Sequence, residues 1–284
     1  MSSERWALEG FDLDAFVRAT LAEDLGEAGD ITSAAVIPAE AMFAGVMDSR
    51  DPVTVAGLPI AEAFFRALDS DARIETLVAE GASVPVGTDL MRVTGKARAL
   101  LTAERSALNT VQHLSGIATF TRAHVDAIRG TGATLLDTRK TIPGLRLLEK
   151  YAVRMGGGTN HRMGLWDAAM IKDNHIAVAG GIGEAVRRAA AAGIAQIIVE
   201  CDRADQIEPA LAAGATHLLL DNMDPATLRG AVTLIGGRVP TEASGGVRLD
   251  TIRAIAETGV TYISAGRITQ SASAADIGLD LALL

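Results

Sequence analysis

The residues best able to do chemistry in this chain are cations crowded into one stretch and two carboxylates that follow it. Between Arg139 and Lys172 stand Arg139, Lys140, Arg146, Lys150, Arg154, Arg162 and Lys172 against Glu149 and Asp167, a local net of +5 in a chain of net −9. Arg146, Lys150 and Arg154 recur at fourfold spacing, which places them on one side of a helix and reads as a solvated face. That spacing does not account for Arg139, Lys140, Arg162 and Lys172, which lie beside apolar runs or glycines. A planar guanidinium grips a carboxylate with two parallel hydrogen bonds, and an ammonium adds a point charge. The four together suit a small polycarboxylate. His161 precedes Arg162 and follows Gly156-Gly157-Gly158. Because those glycines follow a helix rather than a strand, they read as a tight turn and not as a dinucleotide fingerprint. His113, His124 and His217 fall inside helix or strand patterns and read as packing or surface.

Glu200 and Asp221 close two successive apolar runs. Carboxylates so placed suit a hard cation such as Mg²⁺ held together with substrate phosphates, the hydroxyls of a ribose, or acid–base work. Pairing with Lys140 or Lys172 to balance charge is compatible with any of these. Ser244-Gly245-Gly246 and Ala265-Gly266-Arg267 close the last two runs, each before a helical start. Backbone N–H groups of such loops bind phosphate. Cys201, the only cysteine, follows Glu200 in a strand and so points to the opposite face. Lys172 has the chemistry of a Schiff-base nucleophile, but the neighbouring arginines favour carboxylate binding.

Elements that would position these groups repeat along the second half. Apolar, β-branched runs at 133–138, 168–172, 195–200, 216–221, 238–243 and 261–265 alternate with amphipathic, alanine-rich stretches that end at Gly193, Gly214, Gly236 and Gly259. Strand–helix–strand units of this length specify a parallel sheet with helical crossovers, and several in tandem a whole or partial barrel; an open doubly wound sheet is the main rival. In a parallel barrel the site lies at the C-terminal strand ends, where the cations and carboxylates stand. The first part of the chain reads differently, as a smaller α+β unit. It has helices at 11–25 and 60–68, short alternating segments at 44–49, 72–77 and 89–95, and a long helix at 103–129 with Thr102 as N-cap and Glu104 in its first turn. The acidic balance argues against nucleic acid or an acidic membrane surface as partner. No apolar run reaches membrane-spanning length, the first ten residues lack a signal-peptide pattern, and a single thiol fits a reducing compartment, so the expectation is a cytoplasmic protein.

In seven stretches the chain resembles the quinolinate phosphoribosyltransferases: residues 101–117 (LTAERSALNTVQHLSGI), 137–150 (DTRKTIPGLRLLEK), 156–164 (GGGTNHRMG), 171–176 (IKDNHI), 220–223 (LDNM), 242–247 (EASGGV) and 276–281 (DIGLDL). The resemblance implies an α/β fold with an N-terminal α/β sandwich domain, residues 1–115 with 272–284 returning to it, and an incomplete, open α/β barrel at 116–271. It implies transfer of a phosphoribosyl group from 5-phosphoribosyl 1-pyrophosphate to quinolinate with loss of CO₂, giving nicotinate mononucleotide and pyrophosphate, with Mg²⁺. Arg139, His161, Arg162 and Lys172, beside Thr138, would clamp the quinolinate carboxylates. Arg105 would join them from the partner subunit of a homodimer, alone or within a hexamer. Lys140, Glu200 and Asp221 would face the ribose and the Mg²⁺–pyrophosphate, with Lys140, Lys172, Glu200 and Asp221 taking part in catalysis. Ser244, Gly245, Gly246, Ala265, Gly266 and Arg267 would hold the 5-phosphate. The chain departs from the family pattern at 264–270 (SAGRITQ), where Val-Gly-Ala-Leu-Thr-His is common, and at Ile198, where a Glu often stands. Three rival readings are a molybdenum-associated paralogous family of the same fold, a lyase acting through Lys172, and a non-catalytic sensor of phosphorylated ligands.

Overall fold

Short polar caps and glycine stops set most of the elements. The structure, a computed structural model, describes residues 6–281. Residues 1–5 and 282–284, which the sequence reading gives to the first domain, lie outside the described residues. The described chain divides into two units, 6–120 with 147–156 and 272–281, and 121–146 with 157–271. Segment 147–156, expected within the barrel domain, thus groups with the first unit.

In the first unit, α1 (Leu13–Leu25) starts where Asp12 Oδ1 accepts the amide of Ala15 at 2.9 Å. A short helix, α2 (Ile31–Val36), is capped in the same way by Asp30. β1 (Met42–Ser49) and β2 (Val53–Thr54) precede α3 (Leu58–Leu68), whose buried face carries Leu58, Ile60, Ala61, Phe64 and Phe65. β3 (Arg73–Thr76), β4 (Ser83–Val84) and β5 (Asp89–Lys96) follow. β12 (Ile277–Leu281) pairs antiparallel with β1 from Gly45 opposite Leu281 to Ser49 opposite Ile277, which completes a four-stranded sheet in the order β12-β1-β5-β3. β2 and β4 form a separate pair.

Two expectations are corrected here. The long helix α4 (Ala97–Ala127) starts six residues before its expected first residue, directly out of β5. Thr102 is therefore interior: its hydroxyl donates to the Arg98 carbonyl at 2.7 Å and to Asp30 Oδ2 at 2.9 Å. The fourfold row on α5 (Arg146–Met155) is not a solvated face either. Residues 148–153 are all buried, Lys150 is 0% exposed, and only Arg154 of the three lies open. Fourfold spacing fixes an angle around the helix axis; what covers that angle is decided by tertiary packing.

The second unit holds six parallel strands: β6 (Thr134–Leu136), β7 (Ala169–Ile171), β8 (Ile197–Cys201), β9 (His217–Asp221), β10 (Thr241–Ser244) and β11 (Tyr262–Ser264). Each overlaps one of the six expected runs. Between them lie α6 (Asp173–Ala179), α7 (Ile182–Ala191), α8 (Ile207–Ala212), α9 (Pro225–Ile235), α10 (Ile252–Ala256) and, after β11, α11 (Arg267–Gln270). α9 shows the local logic: Asp224 caps it through the amide of Thr227, Pro225 opens it, and Gly236 ends it in the left-handed conformation at φ 60°. The sheet order is β6-β11-β10-β9-β8-β7. This is the cyclic order of a barrel cut between its first two strands, β6 and β7. Thr159 lies in that seam, its amide donating to Leu135 O at 2.9 Å and its carbonyl accepting from Asp137 N at 3.2 Å.

Candidate active site

Side chains alternate along a strand, so residues two apart share a face. In the second unit this brings Met170 and Lys172 from β7 and its end, Leu219 and Asp221 from β9, and Glu242 and Ser244 from β10 to one cavity of about 640 Å³. Glu200 of β8 joins them, while Cys201 is 0% exposed and absent from the lining. Burial pushes the Cys201 thiol up to about 12, with Asp202 and Glu200 adding to the effect, so it is no nucleophile at neutral pH.

Thr138, Arg139, Lys140, His161, Arg162, Lys172, Glu200, Asp221, Ser244, Gly245, Gly246, Gly266 and Arg267 all line this cavity. Arg105 does not: it lies exposed on α4 in the first unit. Ala265 is 1% exposed and its amide is taken by Leu136 O at 3.0 Å, which leaves no donor for a phosphate.

The charges are segregated around the wall. Arg139 follows β6, Arg162 lies in the seam, and Lys172 ends β7. The Arg162 guanidinium is held by Ala168 O at 3.1 Å and Met170 Sδ at 3.7 Å. Burial lowers its pKa, and the nearby Arg139 lowers it further. Arg139 Nε is buried and has no hydrogen-bond partner among the described residues. Two crowded guanidiniums with open donors call for a dianionic ligand.

Lys172 Nζ is ion-paired with Glu200 Oε2, and the Lys172 side chain is 44% exposed. Asp221 Oδ2 accepts Asn222 Nδ2 at 2.5 Å. Asn222 itself takes the left-handed conformation, φ 55°, and donates its amide to Ser244 O at 2.9 Å. Gly245 sits against it so closely that a Cβ there would meet Asn222 Oδ1 at 2.1 Å. Gly245 and Gly246 have φ of 90° and 60°, and the amides of Gly245, Gly246 and Val247 find no acceptor among the described residues. Successive N–H groups turned into a cavity form an anion-binding concavity. Lys140 borders it. Its side chain passes over Gly266, where a Cβ would meet Lys140 Cδ at 2.6 Å, and its carbonyl is fixed by Thr269 Oγ1 at 2.8 Å.

Glu242 is the functional-site residue that reading strand ends missed. It is 0% exposed, with Oε2 at 3.1 Å from both His161 Nε2 and His217 Nε2. Burial would raise its pKa, but His161 and then His217 bring it down to about 2. His217, read from sequence as packing or surface, is buried against Tyr262 and stands within ion-pair distance of this carboxylate, though its Nε2 completes no hydrogen bond among the described residues. Glu242 stands two residues before Ser244 on one strand, and an acid in the middle of a parallel barrel strand was the available signal.

Among the described residues no group of three or more His, Cys, Asp or Glu side chains is placed to hold a metal ion. Glu200 and Asp221 each leave one carboxylate oxygen open.

Comparison with known proteins points to one family. Residues 30–115 match the quinolinate phosphoribosyl transferase N-terminal domain and residues 117–280 its C-terminal domain. The chain is 46% identical over 274 residues to the nicotinate-nucleotide pyrophosphorylase [carboxylating] of Mycobacterium leprae, covering 93% of this chain and 95% of that one. It is 42% identical over 291 residues to the chloroplastic enzyme of the same name from Oryza sativa subsp. japonica, covering 95% and 78%. The solved structure of the nicotinate-nucleotide pyrophosphorylase from Francisella tularensis superimposes with a TM-score of 0.91 at 38% identity over 98% of this chain and 100% of that one. Two domain matches spanning nearly the whole chain, and relatives covered along most of their length, establish that this chain belongs to the quinolinate phosphoribosyltransferase family.

Proposed function

We propose that this chain transfers the phosphoribosyl group of 5-phosphoribosyl 1-pyrophosphate to quinolinate with decarboxylation, releasing nicotinate mononucleotide, CO₂ and pyrophosphate, as a step of de novo NAD biosynthesis. The observation that carries the reading is a guanidinium clamp and an N–H cradle in one cavity with two carboxylates between them. The printed names of the relatives support it.

Arg139, Arg162 and Lys172 bind the two quinolinate carboxylates, with Thr138 beside them. His161 contributes through its contacts to the clamp. The Gly245–Val247 amides, Gly266 and Arg267 bind the 5-phosphate, and Lys140 spans from cradle to clamp. As the C1–pyrophosphate bond breaks, positive charge develops on the ribose, and Glu200 and Asp221 stabilise it. The pyridine nitrogen then bonds to C1. Its new positive charge holds the electron pair left at C2 when the adjacent carboxylate leaves as CO₂, and a proton takes its place. Mg²⁺ fits the site as an ion carried by pyrophosphate: hard oxygen donors from Asp221 and Glu200 are present, while the described residues form no complete protein cage. When bound it supplies charge neutralisation on the leaving group.

Turnover of quinolinate to nicotinate mononucleotide tests this reading. Binding of both substrates without product would favour the sensor. The lyase reading loses support from Lys172, which is ion-paired and partly exposed rather than desolvated among apolar groups. We further propose a homodimer, alone or within a hexamer, in which Arg105 completes the partner's clamp. It is supported by an exposed cation inside the family-like stretch 101–117. Mixing Arg105→Ala and Arg139→Ala subunits restores part of the activity if Arg105 acts across the interface. No restoration despite subunit exchange refutes it. A cytoplasmic setting is supported by the buried lone thiol. No helix of the described residues is long and apolar enough to cross a membrane.

A further inference from the structure

Two fully buried carboxylates, Asp137 and Glu242, have no part in the chemistry above, yet both hold the same short segment. Asp137 follows β6. Its Oδ1 accepts the amide of His161 at 2.8 Å and its Oδ2 accepts Asn160 Nδ2 at 2.6 Å. Glu242 reaches in from β10 to His161 Nε2 at 3.1 Å. On the other side of the ring, His161 Nδ1 accepts the amide of Arg162 at 2.7 Å. That leaves the proton on Nε2, directed at Glu242. Both ring nitrogens are thus occupied within the protein, and the imidazole acts as a strut.

The segment needs such support. It fills the seam between β6 and β7, where the sheet ladder is interrupted, and among the described residues its one bridge to a strand is at Thr159. His161 and Arg162 also face a second cavity, of about 500 Å³, toward the opposite strand ends, so the segment has open space on two sides. Burial and the Arg139 charge both oppose the Arg162 guanidinium where it stands.

We propose that Asp137 and Glu242 are positioning residues for the carboxylate clamp, seating residues 159–162 in the seam and fixing, through His161, where the Arg162 guanidinium stands. This rests on reading the cavity as the quinolinate site. A purely structural role would weaken both substrates' sites together; this one acts on the clamp alone.

The test measures dissociation constants for quinolinate and for 5-phosphoribosyl 1-pyrophosphate separately on the wild type, Glu242→Gln, Glu242→Ala and Asp137→Asn. Quinolinate binding should weaken on the order of tenfold or more in Glu242→Ala, because small displacements of a clamp are costly. Glu242→Gln, which keeps an acceptor, should lose less. Binding of the ribosyl donor should change by less than about twofold, under 0.5 kcal/mol. Equal losses for both ligands in a folded variant, or unchanged quinolinate binding, would overturn the proposal. Should the variants not fold, ¹⁵N resonances of the wild-type imidazoles decide. His161 should be protonated at Nε2 and not at Nδ1, and the opposite tautomer refutes the strut. A wild type that binds no quinolinate would remove the functional reading itself, and this inference with it.

Discussion

Arg139 illustrates a site held at a cost to the fold. Its Nε is buried without a partner among the described residues, and its guanidinium lowers the pKa of Arg162. An unsatisfied buried donor costs about 1–3 kcal/mol. Arg139→Met keeps most of the side-chain stem while removing both the orphaned donor and the like charge. The unliganded variant should therefore be more stable than wild type by about 1–3 kcal/mol, a rise in Tm of a few degrees for a chain of this size. Quinolinate binding should move the opposite way. Deleting one partner of a desolvated, hydrogen-bonded charge pair costs about 2–5 kcal/mol, or roughly thirtyfold to several thousandfold in Kd. Thermal melts with and without quinolinate, paired with titration calorimetry, measure both effects on one sample. A lower Tm for the unliganded variant would refute the strain argument, and a wild-type-sized stabilisation by quinolinate would refute the clamp.

Three other outcomes follow from the same geometry. Arg267 lines the cavity and makes no ion pair among the described residues, so Arg267→Ala should raise the KM for the ribosyl donor by roughly tenfold, the low end for one hydrogen bond to a charged group at about 1.5–3 kcal/mol. The salt dependence of that KM should also flatten; an unchanged KM would place Arg267 on the rim. Cys201, with its thiol pushed up to about 12, should resist alkylation at pH 8 until the protein is unfolded, and rapid native labelling would contradict its burial. Glu242 is depressed from an ordinary 4.5 to about 2, so its contribution is full above pH 4.5 and is lost as pH falls toward 2. The stability gap between wild type and Glu242→Leu should accordingly shrink by about 3 kcal/mol over that window; a gap independent of pH would deny the ionised pairing.

Strand ends were legible because each is marked twice, by a β-branched apolar run and by the polar residue that stops it. Glu200 and Asp221 were found that way, and the strand period placed Cys201 on the opposite face. Position is not legible where it depends on a distant partner. Lys150 shares a helical row with the exposed Arg154, yet it is buried, because periodicity carries no information about what packs against a given angle. The start of α4 is hidden because β5 runs directly into it, while the hydroxyl of Thr102, one turn in, imitates a cap. Glu242 was passed over because it lies inside a strand rather than at its end. Its role shows only once His161 and His217, 81 and 25 residues away in sequence, are seen to meet it. The open seam between β6 and β7 has no local signature at all, since the absence of a pairing is a property of the whole sheet.

The central claim is a decarboxylating transfer, and a single labelled substrate tests it most directly. Quinolinate carrying ¹³C in the carboxyl next to the ring nitrogen is incubated with 5-phosphoribosyl 1-pyrophosphate, Mg²⁺ and the enzyme. One labelled CO₂ and one pyrophosphate are expected for every unlabelled nicotinate mononucleotide formed. Label retained in the nucleotide, or pyrophosphate released without nucleotide or CO₂, would contradict it.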